Sequence, residues 1–198
     1  MLTVDESQEN FSSPSTVSSN QGSPKSILPS KASIPDNIIN IDLIFVKSLL
    51  KILSENKKLP DYYTRIKSNK DFHFTIFIQP AIPLLDYLRR ILTFLKLDFS
   101  TLIIAMIYID RICREKVFLN EFNVHRIMVI SIYIAYIYNE DKTYDNNYLS
   151  LVSGMSKNEI VTLEEDFLEL IEFKLFINDS LFNQYKDCVL RDYLNSKD

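Results

Sequence analysis

The pattern of apolar and polar positions changes several times along the chain. From Asn37 the stretch IINIDLIFVKSLLKILSEN sets Ile41, Ile44, Phe45, Leu49, Ile52 and Leu53 mostly on one stripe at helical spacing. Lys57–Lys58 closes that helix with charge favourable to its dipole. The following stretch, Leu59 to Pro83, is irregular. It reads as a long ordered connection with an extended patch around Phe72–Ile78. A second helix is expected from Ile82–Pro83, proline in its first turn, carrying Leu84, Leu85, Leu88, Ile91, Leu92 and Leu95. Ser100 is the expected cap of a third helix, Thr101 to about Arg114. Asn120 or Asn123 is the expected cap of a fourth, ending near Asn139, and Asp145 or Asn146 starts a short fifth. Ser156 with Glu159 three residues on forms a capping-box signature for a sixth, which ends before Asn178. Asp179 or Ser180 opens the last.

Two of these segments differ from the rest. Leu102–Ile109 and Ile127–Tyr138 are apolar on nearly every face. A helix apolar all round is a buried one, whereas the flanking helices show single stripes. The pattern therefore predicts an all-α domain in which two central helices are wrapped by the others.

The first 36 residues are a different material, with ten Ser and four Pro. Such a segment cannot offset its ordering entropy by burial, and residues 1–36 read as a disordered tail before one domain spanning 37–198. Ser13–Pro14 and Ser23–Pro24–Lys25 are candidate sites for a proline-directed kinase.

Composition narrows the function. The chain has 198 residues, 46% of them hydrophobic, with two glycines. So few glycines argue against phosphate-cradling loops and dinucleotide-binding turns. A formal net charge of −4 gives no electrostatic footprint for nucleic acid. The richest basic stretch, Lys57 to Lys70, is interrupted by acids and reads as a solvated segment. Cys113 and Cys188 make neither a disulfide framework nor a metal site, and His73 and His125 lack companions at ligand spacing. No metal, no cofactor and no catalytic residues are expected. The carboxylate pair Glu164–Glu165 occupies adjacent helical positions, which do not share a face. No secretory signal opens the chain, and the run Ile127–Tyr138 is too short to span a bilayer. The expected setting is intracellular, in nucleus or cytoplasm, with no membrane association.

Charges inside apolar runs need partners. Asp110–Arg111 ends the first run and His125–Arg126 opens the second. A buried carboxylate is costly unless paired and hydrogen-bonded. Asp110 is expected near the end of the core, facing Arg89, Arg90 or Arg126. Asp110, Arg111, His125 and Arg126 are read as internal struts joining helices.

These same residues carry a family resemblance. DYLRRI (Asp86–Ile91), YIDRI (Tyr108–Ile112), LNEFNVHRI (Leu119–Ile127), YDNNYLSLVSGMS (Tyr144–Ser156) and LEEDFLELIEFKLFI (Leu163–Ile177) occur in the order and at spacings similar to those of the cyclins. Over roughly residues 40–190 the chain most resembles the branch with the yeast phosphate-regulon cyclin and the P/U-type cyclins. The resemblance implies a cyclin box of five helices around a central one, with flanking N- and C-terminal helices. It implies a non-catalytic regulatory subunit, monomeric without its kinase, that binds and activates a cyclin-dependent Ser/Thr protein kinase in cell-cycle or nutrient-signalling control. The implied kinase-binding groove involves Ile134, Ile137, Tyr138, Glu140, Asp141, Glu164, Phe167 and Leu168, with Glu164 as the acidic anchor and Asp110 as a buried internal strut.

The chain departs from the family at three places. Ile137 stands where many cyclins carry a Lys that partners the acidic anchor. Ser153–Gly154 replaces a Gly–Gly step, and the Met–Arg signature of the substrate-docking patch is absent near Pro80–Leu84. The alternative reading is a cyclin-fold adaptor or scaffold that does not activate a kinase.

Overall fold

The computed structural model describes residues 41–68, 73–141 and 143–195. The expected Ser/Pro-rich tail, and Phe72 of the expected extended patch, lie outside the described residues. Eight helices occur among the described residues, with no strand: α1 Ile41–Lys57, α2 Tyr62–Ser68, α3 Leu84–Leu95, α4 Phe99–Glu115, α5 Val124–Asn139, α6 Asn146–Ser153, α7 Lys157–Leu170 and α8 Asp179–Asn195.

The core follows from the two all-apolar segments. Residues Ile127 to Tyr136 of α5 are buried without interruption, Ser131 included. Along α4, Ile103, Ala105 and Tyr108 have no exposed surface, and Leu102, Ile107, Ile109 and Ile112 have almost none. These two helices pack on each other, with α1, α3, α7 and α8 placed around them. Ser131 is tolerated in this setting because its hydroxyl donates to the Met128 carbonyl at 2.8 Å. That is the local bond a helical serine makes when no other partner is in reach.

Local chemistry sets the ends of the helices. Ser156 and Glu159 form the reciprocal capping box expected at the start of α7. Asp145 caps α6 by accepting from the Tyr148 amide at 3.0 Å. Gly154 ends α6 at φ +75°, and a Cβ there would meet nothing within 4 Å. Its backbone angle, not crowding, is what favours glycine. For α4 the expectation is corrected: the cap is Asp98, whose carboxylate accepts from the Thr101 amide at 2.9 Å and its hydroxyl at 3.0 Å. Ser100 falls inside the first turn. The connection before α3 holds a short helix, α2, that the irregular pattern concealed. The described part of the extended patch, His73–Ile78, is turn and coil. It is fastened by the Ile76 amide to the Phe122 carbonyl, 3.1 Å, and by the buried Phe74 ring edge-on to Phe167.

The turn between α4 and α5 is a small polar knot. Asn120 and Asn123 are both buried. Asn123 Oδ1 accepts from the Asn120 amide, Asn120 Oδ1 accepts from the Phe122 amide, and both side-chain amides donate to the Phe118 carbonyl, all at 2.9–3.0 Å. Asn56 from α1 donates to the neighbouring Leu119 carbonyl at 2.7 Å. Asn123 occupies the N-cap position of α5 but spends its side chain on this knot, so it makes no side-chain cap bond.

The four expected struts all bridge elements, with different partners than anticipated. Asp110 is not buried: its side chain is 36% exposed. It pairs with Arg114 one turn on, at 2.7 Å, and accepts from the Tyr185 hydroxyl of α8. None of Arg89, Arg90 or Arg126 reaches it. Arg89 pairs with Asp42, Arg90 donates to the Leu151 carbonyl, and Arg126 bonds the His73 carbonyl and Glu159. The reason is helical phase: Asp110 lies on the face of α4 that meets α8, at the rim rather than the centre. Arg111 donates to the Lys174 and Phe176 carbonyls at 2.6 and 3.2 Å, tying α4 to the connection after α7.

His125 packs its ring against Tyr87, centroids 5.6 Å apart, and its Nε2 donates to the Ile82 carbonyl at 3.0 Å. The other nitrogen, Nδ1, is buried without a partner. Burial therefore holds the imidazole neutral and lowers its pKa, the Ile82 bond opposing only in part.

Two outcomes follow from these contacts. Asn120→Ala strands the Phe122 amide and should cost about 2 kcal/mol, read as a fall of roughly 5 °C in Tm. For His125, the unfolded chain takes up a proton near pH 6.5 and the folded chain resists it. The stability it supports is full above about pH 6.5 and is lost as pH falls from there toward the lowered folded value. Thermal melts between pH 7.5 and 5.5 should show that decline, and His125→Gln should flatten it.

Candidate functional site

The C-terminal end of α5, the length of α7 and the connection after α7 together make a surface of unusual character. Tyr133 of α5 starts it. Its hydroxyl lies 2.8 Å from Asn146 Oδ1 and 2.9 Å from the Tyr144 carbonyl. Asn146 Nδ2 in turn donates to Glu164 Oε2 at 2.7 Å. This chain locks α5, α6 and α7 to one another. Burial pushes the Tyr133 phenol up to about 12, with the Glu164 charge adding to the effect, so Tyr133 remains protonated. A tyrosine ladder backs the network: the rings of Tyr136 and Tyr144 stack at 6.3 Å, and those of Tyr144 and Tyr148 at 4.2 Å. The Tyr148 hydroxyl closes the ladder on the Phe94 carbonyl.

Glu164 is half-buried at the edge of this network. Burial raises its pKa, opposed by the Asn146 bond and aided by the charge of Glu165. Among the described residues it accepts one hydrogen bond, from Asn146 at Oε2. An ionised carboxylate offers about four acceptor positions, so most of that capacity is unused among the described residues.

The expected groove residues separate into two sets. Ile137 and Tyr138 are exposed, at 41% and 50%, and Asp141 is exposed beside a half-buried Glu140. Leu168 is half-buried against the core. Ile134 and Phe167 are corrected: at 2% and 0% exposure they belong to the core and can only support the surface from beneath. Leu84, at the end of the Pro80–Leu84 stretch, is likewise buried.

Two aromatic residues missed by the sequence reading extend the surface. The periodic apolar positions after Leu163 suggested a helix running toward Asn178, yet α7 ends at Leu170. Glu172 and Phe173 then take positive φ, 55° each, which side chains other than glycine adopt only under constraint. The constraint is visible. Tyr108 donates to the Leu175 carbonyl at 2.8 Å, Arg111 holds the carbonyls on either side, and Lys116 and Lys174 both pair with Glu172 at 2.5 Å. The result leaves Phe173 and Phe176 in water, 68% and 69% exposed. The one signal in the sequence was Phe173 and Phe176 themselves, large apolar residues beyond the stripe that ends at Leu170.

Among the described residues no three His, Cys, Asp or Glu side chains converge as a metal site, and no helix is long and apolar enough to cross a membrane. The surface sets a half-buried carboxylate and exposed apolar and aromatic groups on one helical frame.

Comparison with known proteins identifies the family. The cyclin family model matches residues 6–175. Cyclin-U4-3 of Arabidopsis thaliana is 37% identical over 121 residues, which are 60% of this chain and 55% of the relative. Cyclin-U4-1 of the same plant is 32% identical over 148 residues, covering 72% and 71% of the two chains. The PHO85 cyclin-like protein psl1 of Schizosaccharomyces pombe is 30% identical over 143 residues, 71% of this chain and 58% of the relative. The first two matches, Cyclin-U4-3 and Cyclin-U2-1, are spanned over only about half their length, 55% and 49%. With an all-helical fold among the described residues and a family match over most of its length, the chain belongs to the cyclin family, and the relatives it matches include U/P-type cyclins and a PHO85 cyclin-like protein.

Proposed function

We propose that this chain binds the catalytic subunit of a cyclin-dependent Ser/Thr protein kinase through the α5–α7 surface and activates it. The observation that carries the reading is Glu164. A carboxylate kept half-buried, against its own ionisation, with open acceptor positions and apolar neighbours, is suited to take backbone N–H groups from a partner helix end. Ile137, Tyr138, Leu168 and Phe173 would supply apolar contact around it, with Glu140 and Asp141 at the rim. Membership of the cyclin family supports a kinase as the partner.

A second reading has its own observation. Ile137 is an exposed apolar residue at the position where many cyclins place a Lys, which removes one of two polar anchors. A cyclin-fold adaptor that binds without activating would suit that surface. Phosphorylation of a histone-type substrate by the kinase co-purifying with this chain separates the two. Activity supports the regulatory subunit, and a stable partner set without kinase activity supports the adaptor.

Glu164→Gln removes the charge and keeps the shape. Affinity for the kinase subunit should fall by about tenfold or more, the worth of a hydrogen bond to a charged group. Because its pKa is raised on folding, ionised Glu164 works against the fold. That opposition is absent below the ordinary carboxyl range and grows as pH rises through the raised value. Tm of Glu164→Gln at pH 7 should therefore exceed that of the parent, and the gap should close near pH 4. Equal affinity of the two forms in calorimetry would remove Glu164 from the interface. Phe173→Ala should weaken binding by about 2 kcal/mol with little change in Tm, since its ring is already in water.

A further inference from the structure

A second feature of the fold lies apart from the α5–α7 surface. Helices α1, α4 and α8 do not close completely on one another, and a cleft of about 320 Å³ remains between them. Close-packed interiors leave few voids larger than a water molecule, whereas small-molecule sites begin at roughly 300 Å³. The floor is apolar and part of the core: Phe45 and Leu49 from α1, Ile109 from α4 and Val189 from α8, each at most 4% exposed. One end is polar. There Asp110 accepts from Tyr185 and from Arg114, and both bonds go to the same oxygen, Oδ2.

The chemistry of that polar end specifies what it would bind. The Tyr185 phenol, pushed up to about 12 by burial and by Asp110, stays protonated and spends its proton on Asp110. Arg114 also engages the Tyr185 hydroxyl, which leaves Oδ1 of Asp110 as the acceptor without a donor among the described residues. Arg114 already balances the Asp110 charge. A second cation is therefore not called for, and an uncharged donor is.

The geometry points to a binding site between α1, α4 and α8 for a small, uncharged, largely apolar molecule that carries a hydroxyl at one end. The apolar body lies along Phe45, Leu49 and Val189, and the hydroxyl donates to Asp110 Oδ1. Because α8 supplies one wall, occupancy also fixes how α8 sits on α4.

The test uses the full-length chain with para-butylphenol and, as its counterpart lacking the hydroxyl, butylbenzene. Two lining residues report on the cleft: Met106, half-buried in its wall, and Cys188, exposed at its mouth. Para-butylphenol should shift the Met106 methyl resonance saturably and slow alkylation of Cys188 by iodoacetamide. Cys113 does not interfere, since burial pushes its thiol up to about 12. Butylbenzene should bind about tenfold more weakly, the loss of one hydrogen bond. Cys188→Trp obstructs the mouth at an exposed position, and Ile52→Trp fills the cleft from α1; each should abolish the Met106 shift. Absence of a saturable shift with para-butylphenol overturns the site. Equal affinity for the two probes overturns the ligand class. An undiminished shift in both tryptophan variants, shown by circular dichroism to be folded, places the ligand elsewhere and overturns the assignment.

Discussion

The structure depends on the burial of α5. A helix apolar on all sides has no face to give to water, so every neighbour must be arranged to cover it. Its backbone bonds are satisfied internally, and its one polar core residue, Ser131, bonds within the helix. With α4 almost equally apolar, the centre of the domain has no room for a charged or reactive group. Polar work is displaced to the ends of these helices and to the connections between them, and each such place is occupied. The Asn120–Asn123 knot closes the α4–α5 turn, His125 and Arg126 anchor the segment before α3, and the Tyr133–Asn146–Glu164 chain closes the far end.

The same displacement explains why α4 carries Asp110 and Arg111 side by side. Neighbouring helical residues point about 100° apart and so serve different elements. Asp110 faces α8 through Tyr185, and Arg111 faces the α7–α8 connection through two carbonyls. One turn of one helix thereby fixes both the last helix and the strained bend at Glu172–Phe173. A bend with two non-glycine residues at positive φ does not persist by itself, and it is held here by a phenol, a guanidinium and two ammonium groups. Its consequence is that two phenylalanines, Phe173 and Phe176, are kept out of the core.

How much of this was legible follows from the range of each interaction. The all-α class, the two central helices and the capping box of α7 rest on periodicity and on contacts three residues apart, so the sequence carried them openly. Asp98 and Ser100 are both good caps, and choosing between them needed the geometry of the Thr101 amide. The partners of Asp110 depended on which face of α4 meets α8, a long-range fact with no local signal. The end of α7 was hidden for a similar reason. Leu175, Phe176 and Ile177 continue an apolar pattern, and what stops the helix is Tyr108 and Arg111, more than sixty residues earlier. Of the eight groove residues suggested by resemblance, burial divides Ile134 and Phe167 from the others, a distinction that sequence alignment alone does not draw.

Glu164 follows a different energetic logic from the carboxylates that stabilise the fold. Every other carboxylate whose pKa is displaced among the described residues, Glu55, Asp61, Asp145, Glu159 and Glu172, is lowered by its partners, so its charge favours the fold. Glu164 alone is displaced the other way. Three features produce this: Asn146 supplies a single donor, Glu165 stands beside it, and burial disfavours its charge. A fold selected only for stability would place a glutamine or a leucine there. Keeping a charge that the isolated domain disfavours is understandable if its missing donors come from a partner, as the proposed function requires; the Asn146 bond would then hold the carboxylate in position for them.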